Sequence, residues 1–182
     1  GWWQSKLDLG SVGSKLDVRD REACRPELLM DADNEEGTTR IATLLAALLK
    51  AGDVVLLDGV LASGKTFLVR KVVESLGTKD EISSPTYAIA NIYQCKPCDV
   101  LHVDAYRLKN DHDFHNLGLE LEIEASICLI EWGSRVQNAF DDFLKISIEL
   151  KKKKAGGRSF AIVAHGPRAL ELLCDFKERY QT

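Results

Sequence analysis

Long hydrophobic runs are absent from this 182-residue chain, and no stretch approaches the ~18 consecutive apolar residues that a membrane-spanning helix needs. An excess of positive charge is also absent: 24 basic residues stand against 28 acidic ones, for a formal net charge of -4. A domain that mainly coats nucleic acid usually has a clear basic excess. The composition therefore favours a soluble protein of the cytoplasm over a membrane protein or a nucleic-acid coat.

Cysteine is sparse, with five residues in a chain long enough to form a core without disulfides. We expect reduced thiols, as in a cytosol. Residues 1–27 have no sustained hydrophobic period and no apolar core of about 7–15 residues such as a signal peptide contains. The sequence thus predicts a loosely ordered extension over 1–27 and one folded domain over 28–182.

Apolar runs and helical periods alternate along the chain, which predicts an α/β fold. Strands with unbroken apolar runs are typical of a parallel sheet that is covered on both faces, so we expect three layers around a mostly parallel sheet. The chain is predicted to end in a β-hairpin and a helix. The predicted helices span 35–50, 65–76, 111–117 and 169–180, and the predicted strands span 28–30, 54–57, 86–94, 100–103, 127–130, 144–150 and 159–164.

The strongest local signal is the segment GVLASGKT at 59–66, which matches G-x-x-x-x-G-K-[ST] and lies between a predicted strand and a predicted helix. Main-chain N–H groups of such a loop surround a phosphate at the positive end of the helix. Lys65 can reach the β and γ phosphates, and the Thr66 hydroxyl can hold Mg²⁺. The alternative is an ordinary strand-to-helix turn. The loop residues of the predicted ATP site are Gly59, Leu61, Ala62, Ser63, Gly64, Lys65 and Thr66.

Two acidic residues follow buried apolar strands. Asp104 comes after the strand at 100–103, and Glu131 comes after the strand at 127–130. Ligands of open α/β sheets bind at the carboxyl ends of strands, so both acids are predicted catalytic residues and Mg²⁺ ligands. One could hold the metal while the other orients or deprotonates water, and spacing does not assign the two roles. Alternatively, either acid merely ends a strand.

Six motifs follow in order between residues 52 and 170, within a resemblance that covers about residues 35–175: GDVVLLDGVLASGKTFLVRKV, SSPTYAI, LHVDAYRL, LGLE, ICLIEW and AHGPRAL. Together they resemble the bacterial TsaE (YjeE) family. The resemblance implies a P-loop NTPase-like fold and an ATPase required for threonylcarbamoyladenosine formation in tRNA. It also implies Mg²⁺ and two partner proteins, TsaD and TsaB.

The same resemblance implies roles for single residues. It makes Lys65, Asp104 and Glu131 the functional groups of hydrolysis and places Trp132 beside the nucleotide. Thr38 would also lie near the nucleotide, although a hydroxyl at a helix start explains it equally well. A switch segment would contain Ser84, Pro85 and Thr86, which alternatively only begin a strand.

The P-loop departs from the family pattern at three positions. The family usually has Asp after the first glycine and a Gly-Ala pair before the second, whereas this chain has Val60, Ala62 and Ser63. Alanine tolerates fewer backbone conformations than glycine, so nucleotide affinity or turnover could be lower.

Two weaker features have plain interpretations. Cys95 and Cys98 form one isolated C-x-x-C in a predicted turn, for which zinc or redox chemistry is the less favoured alternative. A basic hairpin tip is predicted to be a solvated turn, and the alternative is contact with tRNA or an acidic partner. The tip contains Lys151, Lys152, Lys153 and Lys154, together with Gly156, Gly157 and Arg158.

Two other functions are compatible with a P-loop. A small-molecule kinase usually has an arginine-rich lid. Residues 105–145 contain only two arginines, Arg107 and Arg135, so such a lid is hard to form here. A binding module that responds to nucleotide with negligible hydrolysis is the other alternative, and the departures in the loop make it conceivable.

Overall fold

The computed structural model describes residues 24–60, 63–78, 80–82 and 89–181. Within this part the strands are β1 (Glu27–Ala32), β2 (Val54–Asp58), β3 (Ala90–Tyr93), β4 (Asp99–Asp104), β5 (Ser126–Glu131), β6 (Phe143–Leu150) and β7 (Arg158–His165). The helices are α1 (Glu35–Leu48), α2 (Lys65–Ser75), α3 (Asp111–His115), α4 (Glu120–Ala125) and α5 (Pro167–Gln181). Each predicted helix and strand has a counterpart, and the predicted end in a hairpin and a helix is confirmed.

One mixed sheet contains the seven described strands in the order β1-β7-β6-β2-β5-β4-β3. Strands β6, β2, β5 and β4 are parallel, whereas β1–β7, β6–β7 and β3–β4 are antiparallel pairs. The prediction of a mostly parallel sheet is therefore wrong. The reason is the short connections at 94–98 and 151–157, because a parallel pair needs a crossover of a dozen or more residues.

Apolar side chains form two layers, one on each face of the sheet. Val55 and Leu57 of β2 pack into the layer that contains α1, α2 and α5. The alternate residues Val54 and Leu56 pack on the opposite face with Phe114 of α3. This period of two within an unbroken apolar run is what a strand covered on both faces requires. The two layers therefore hold the central strands in place between them. Because these strands are parallel, their carboxyl ends lie along the same edge of the sheet.

Two parts of the chain differ from the sequence-based expectations. Helix α4 and the 3-10 turns at 133–135 and 137–139 were not predicted. No residue of α4 in the described structure is buried. This helix therefore lacks the regular spacing of apolar residues by which a helix is recognised in a sequence. The predicted strand at 86–94 is shorter, at Ala90–Tyr93, and its first residues lie outside the described part. In the described part no helix is both long and apolar enough to cross a bilayer.

The expectation that all the thiols are reduced is wrong for one pair. A disulfide joins Cys24 to Cys174 across 150 residues of sequence, with a distance of 6.1 Å between their Cα atoms. The pair meets because β1 lies beside β7, and α5 follows β7 directly. Sequence spacing alone does not show this proximity. Of the predicted extension, residues 1–23 lie outside the described residues.

Candidate functional site

A cleft of about 370 Å³ opens where β2, β4 and β5 end and α2 begins. It contains eight residues that the sequence singles out, although they come from four separate segments of the chain. Parallel strands bring these segments together because their carboxyl ends share one edge of the sheet. The eight residues are Thr38, Ser63, Gly64, Lys65, Thr66, Asp104, Glu131 and Trp132.

The loop between β2 and α2 depends on two glycines. Gly59 has a φ of +151°, and a Cβ atom there would lie 2.6 Å from the carbonyl oxygen of Ile148. Gly64 has a φ of +110° and precedes the first residue of α2. Both backbone conformations disfavour residues with a side chain. The loop can therefore turn sharply and present the N-terminal end of α2 to the cleft.

Lys65 is buried in the floor of the cleft. Its Nζ donates hydrogen bonds to the carbonyl oxygens of Gly59 and Val60, the second at 3.1 Å, and lies 4.3 Å from the centre of the Trp132 ring. Burial lowers the pKa of this ammonium group, against the opposing attraction of nearby carboxylates that include Glu131. The ammonium thus supplies a positive charge inside the cleft.

The two predicted acids occupy paired positions on neighbouring strands. Asp104 is the register partner of Glu131. The Thr66 hydroxyl donates to Oε1 of Glu131 at 2.9 Å, and Nε2 of His102 donates to Oε2 at 2.6 Å. Burial raises the pKa of Glu131, but the hydrogen bonds and charges of His102, Thr66 and Lys65 outweigh it and leave the pKa below its usual value. Glu131 is therefore a carboxylate at neutral pH.

Trp132 stands at the rim of the cleft in an unusual backbone conformation. Its φ of 59° and ψ of 39° place it in the left-handed region, which few residues with a side chain adopt. Its ring lies 5.1 Å from that of Tyr106, and the guanidinium carbon of Arg135 lies 5.6 Å from the centre of the Trp132 ring. Strain of this kind is frequent at functional sites.

Arg158 is part of the basic hairpin tip in the sequence, but its contact with the P-loop was not predicted. It begins β7, and its Nε donates to the carbonyl oxygen of Ser63 at 2.7 Å. Its NH1 donates to the carbonyl oxygen of Gly157 at 2.9 Å. The guanidinium thus links the hairpin of β6 and β7 to the P-loop by a hydrogen bond. The sequence around Arg158 does not indicate this contact. Other lining residues that were not predicted are Glu35, Phe67, Ile148, Gly156 and Phe160.

Several predicted site residues fall elsewhere. Gly59 does not line the cleft but holds Lys65 through its carbonyl oxygen. Leu61 and Ala62 lie outside the described residues, as do Ser84, Pro85 and Thr86 of the predicted switch segment.

The basic hairpin tip is partly neutralised by the chain itself. Lys151 lies 2.9 Å from Asp31, and Lys154 lies 3.3 Å from Asp33. Two of the four lysines are therefore paired with acids at or just after β1. Lys152 and Lys153 are exposed.

The isolated C-x-x-C lies in the turn between β3 and β4, as predicted. Among the described cysteines, Cys95 and Cys98 are free, and burial raises the pKa of both thiols. A raised pKa lowers the thiolate fraction on which thiol reactivity depends.

Comparison with known proteins identifies a family, relatives and a solved structure that resemble this chain. Residues 32–160 match the model of a family described as threonylcarbamoyl adenosine biosynthesis protein TsaE. A relative from Treponema pallidum, named tRNA threonylcarbamoyladenosine biosynthesis protein TsaE, is 34% identical over 128 residues, which are 70% of this chain and 93% of that protein. The Bacillus subtilis protein of the same name is 32% identical over 148 residues, 81% of this chain and 91% of its own. The crystal structure of Bacillus subtilis YdiB superposes with a TM-score of 0.70 at 28% identity, covering 86% of this chain and 97% of YdiB.

Proposed function

The chain belongs to the TsaE family of threonylcarbamoyl adenosine biosynthesis proteins, and on this premise we propose that it binds and hydrolyses Mg·ATP during threonylcarbamoyladenosine modification of tRNA. We further propose that it acts with TsaD- and TsaB-like partner proteins. The observation that carries the enzymatic part is the hydrogen bond from Thr66 to Glu131 in a cleft that also contains Lys65. This contact unites a P-loop hydroxyl, a strand-end carboxylate and a buried ammonium group.

Several features of the cleft support binding of a nucleoside triphosphate. The eleven-residue helix α2 directs its N-terminal end into the cleft, where backbone N–H groups and the helix dipole favour phosphate. Ser63 lines the same cleft, and its buried Oγ has no hydrogen-bond partner within the described structure. A phosphate oxygen would be a suitable partner for this hydroxyl. Lys65 would then exchange its carbonyl partners for phosphate oxygens.

The same site offers the oxygen ligands that Mg²⁺ prefers. Thr66, Asp104 and Glu131 all line the cleft, and a magnesium ion bound with nucleotide typically takes one or two carboxylates together with phosphate oxygens. Mg²⁺ held there would offset the negative charge that develops on the phosphates.

The acids of the cleft would act on water. Glu131 is ionised at neutral pH and can accept a proton or orient an attacking water molecule. Asp104, whose Oδ1 accepts from the backbone N–H of Tyr106 at 3.0 Å, is held at the adjacent position. Both carboxylates would therefore contribute to turnover, with their division of labour set by the position of the γ phosphate.

The partner proteins would control the rate. We propose that turnover by the isolated chain is slow, below ~1 s⁻¹ against the usual enzyme median of ~10 s⁻¹, and that TsaD and TsaB accelerate it. Contact with tRNA would be indirect or would involve the exposed Lys152 and Lys153 at the hairpin tip.

Calorimetry with Mg·ATP tests the nucleotide site. The Lys65→Ala variant is expected to lose measurable affinity, because the methyl group of alanine cannot replace the ammonium at the phosphates. Lys71→Ala is the matched control, since Lys71 lies on the same helix and contacts Glu74 on its exposed side. Full affinity in Lys65→Ala would contradict the site. Tight binding by wild type with no hydrolysis, even with both partners present, would instead favour a nucleotide-dependent binding module.

A further inference from the structure

A wholly buried histidine lies beneath the acidic pair. His102 is on β4, two residues before Asp104, and has no exposed surface. Side chains alternate along a strand, so these two residues face the same side of the sheet. Asp104 is in turn the register partner of Glu131 on β5. The imidazole is thus placed to reach a carboxylate of the cleft from inside the protein.

The histidine has one polar contact in the described structure, and that contact is to Glu131. Its Nε2–H donates to Oε2 at 2.6 Å, while the Thr66 hydroxyl donates to Oε1 at 2.9 Å. The second ring nitrogen, Nδ1, is buried and has no partner among the described residues. Burying a polar atom costs free energy unless a hydrogen bond compensates it.

Apolar packing does not require a histidine at this position. Its register partners are Leu129 on β5 and Asn91 on β3. Val100 precedes it by two residues on the same face of β4, and the Tyr93 ring centre lies 6.3 Å from that of the imidazole. An aliphatic side chain at position 102 would fill similar space without burying two ring nitrogens, but it would leave Oε2 of the buried Glu131 without this donor, and removing one partner of a buried pair is destabilising. The benefit of the imidazole therefore lies in what it does to Glu131.

We propose that His102 is a positioning residue that fixes the carboxylate of Glu131 for ATP hydrolysis, an inference that rests on the proposed function. One donor on each oxygen defines the plane of the carboxylate, whose terminal torsion is otherwise broad. With His102 removed, the carboxylate can rotate about this torsion while remaining bonded to Thr66. Partners that orient functional carboxylates and imidazoles in this way typically contribute 10–100-fold.

Two amide variants separate the hydrogen bond from the volume of the side chain. The amide nitrogen of glutamine reaches the position of Nε2, whereas that of asparagine reaches only the position of Nδ1. We expect His102→Gln to keep kcat within about threefold of wild type and His102→Asn to lower it by about 10–100-fold. The Kd for Mg·ATP is expected to change by less than about threefold in both, because the lost interaction acts on turnover.

Two further measurements distinguish positioning from stability. In a Glu131→Gln background, His102→Asn is expected to cause no additional loss of kcat, and its effect on the urea unfolding midpoint is expected to shrink. Val100→Ala is the control for lost packing, since this fully buried neighbour should lower the unfolding midpoint without changing kcat.

The outcomes are distinct. Equal kcat in His102→Gln and His102→Asn would overturn the proposed role of His102. An equal loss of kcat from His102→Asn in the wild-type and Glu131→Gln backgrounds would do the same, and both results would leave the proposed function standing. A wild-type chain that does not hydrolyse ATP with its partners present would contradict the proposed function, and this inference with it.

Discussion

At the scale of the residue, buried charges are balanced by neighbouring groups of the protein. Lys65 and Glu131 are only 5% and 4% exposed, yet each has defined partners inside the cleft. Asp53, 7% exposed, receives two hydrogen bonds from the guanidinium of Arg168, both at 2.9 Å. Such charges are costly to bury alone, so removing one partner has consequences that depend on which partner remains.

The lowered pKa of Glu131 predicts a pH dependence of stability. A carboxylate with a depressed pKa in the folded state contributes stability that is fully present above its unfolded pKa of ~4.3 and is lost as pH falls through the lower folded value. The free energy of unfolding should therefore fall more steeply below pH ~4.3 in wild type than in Glu131→Gln. Urea unfolding at several pH values between about 2.5 and 7, a range that includes the unfolded pKa of ~4.3, measures this difference in the free energy of unfolding. Glu74→Gln, at an exposed position, should follow wild type, and parallel curves for wild type and Glu131→Gln would contradict the prediction.

Breaking the pair between Arg168 and Asp53 should destabilise the fold without affecting the cleft. Arg168→Met leaves Asp53 with the backbone N–H of Lys50 as its remaining described donor. Because Arg168 is partly exposed, we expect a loss of about 3 kcal/mol in the free energy of unfolding, the low end of the range for breaking a buried pair. Arg70→Met, on the exposed side of α2, is expected to change it by less than about 0.5 kcal/mol. A weaker Mg·ATP affinity in Arg168→Met at an unchanged stability would show that the pair serves the site.

At the scale of the element, the hairpin of β6 and β7 supports the P-loop. Arg158 at the start of β7 contacts the carbonyl oxygen of Ser63, and the Gly64 Cα faces the same guanidinium, since a Cβ there would lie 3.3 Å from Nε. A positive side chain therefore contacts the loop where the nucleotide is proposed to bind. This makes the hairpin part of the site.

Loss of this contact should weaken nucleotide binding. Arg158→Met keeps much of the apolar stem but removes all donors, and we expect about tenfold weaker Mg·ATP binding, in line with the ~1.5 kcal/mol contribution of a hydrogen bond to a charged group. Calorimetry compares it with Arg70→Met, which should bind as wild type does. An unchanged affinity in Arg158→Met would restrict the hairpin to a structural role.

Elements with strong local patterns were predictable, and contacts between distant elements were not. The apolar run of β2, the glycine pattern of the loop and the helical period of α2 are encoded within residues 54–75, and the structure has them nearly as predicted. The contacts of His102 and Arg158 were not predicted, although Arg158 belongs to the basic hairpin tip, because these contacts are to Glu131 and Ser63, which are 29 and 95 residues away. The antiparallel direction of β6 and β7 was predicted as a hairpin, whereas that of β3 and β1 was missed. The direction of β3 follows from its short connection to β4 more than from its composition, and β1 pairs with β7, which is distant in sequence.

At the scale of the whole molecule, the candidate cleft and the ion pair of Arg168 with Asp53 lie at opposite ends of the central strands. Asp104 and Glu131 end β4 and β5, whereas Asp53 directly precedes β2. The disulfide joins Cys24, three residues before β1, to Cys174 of α5, and neither cysteine lines the cleft. Stability and activity are therefore separable by substitution.

The disulfide should stabilise the fold without affecting nucleotide binding. It closes a loop of 150 residues, for which the chain-entropy account gives about 5 kcal/mol as an upper value. Dithiothreitol is therefore expected to lower the Tm of wild type by several degrees and to leave Cys24→Ala unchanged. Cys95→Ala, which retains the pair, should respond to reduction as wild type does. Equal responses in Cys24→Ala and wild type would show that this pair is not the source of the stability.

The central claim is that one cleft hydrolyses ATP through Lys65, Thr66 and the strand-end acids. The most direct test is single-turnover hydrolysis of ATP in the presence of TsaD, TsaB and Mg²⁺, for wild type and for Glu131→Gln. The account predicts turnover by wild type and a loss of about 10²–10⁴-fold in Glu131→Gln, the usual effect of removing a positioned acid or base, with nucleotide still bound. Equal rates in the two proteins would contradict it.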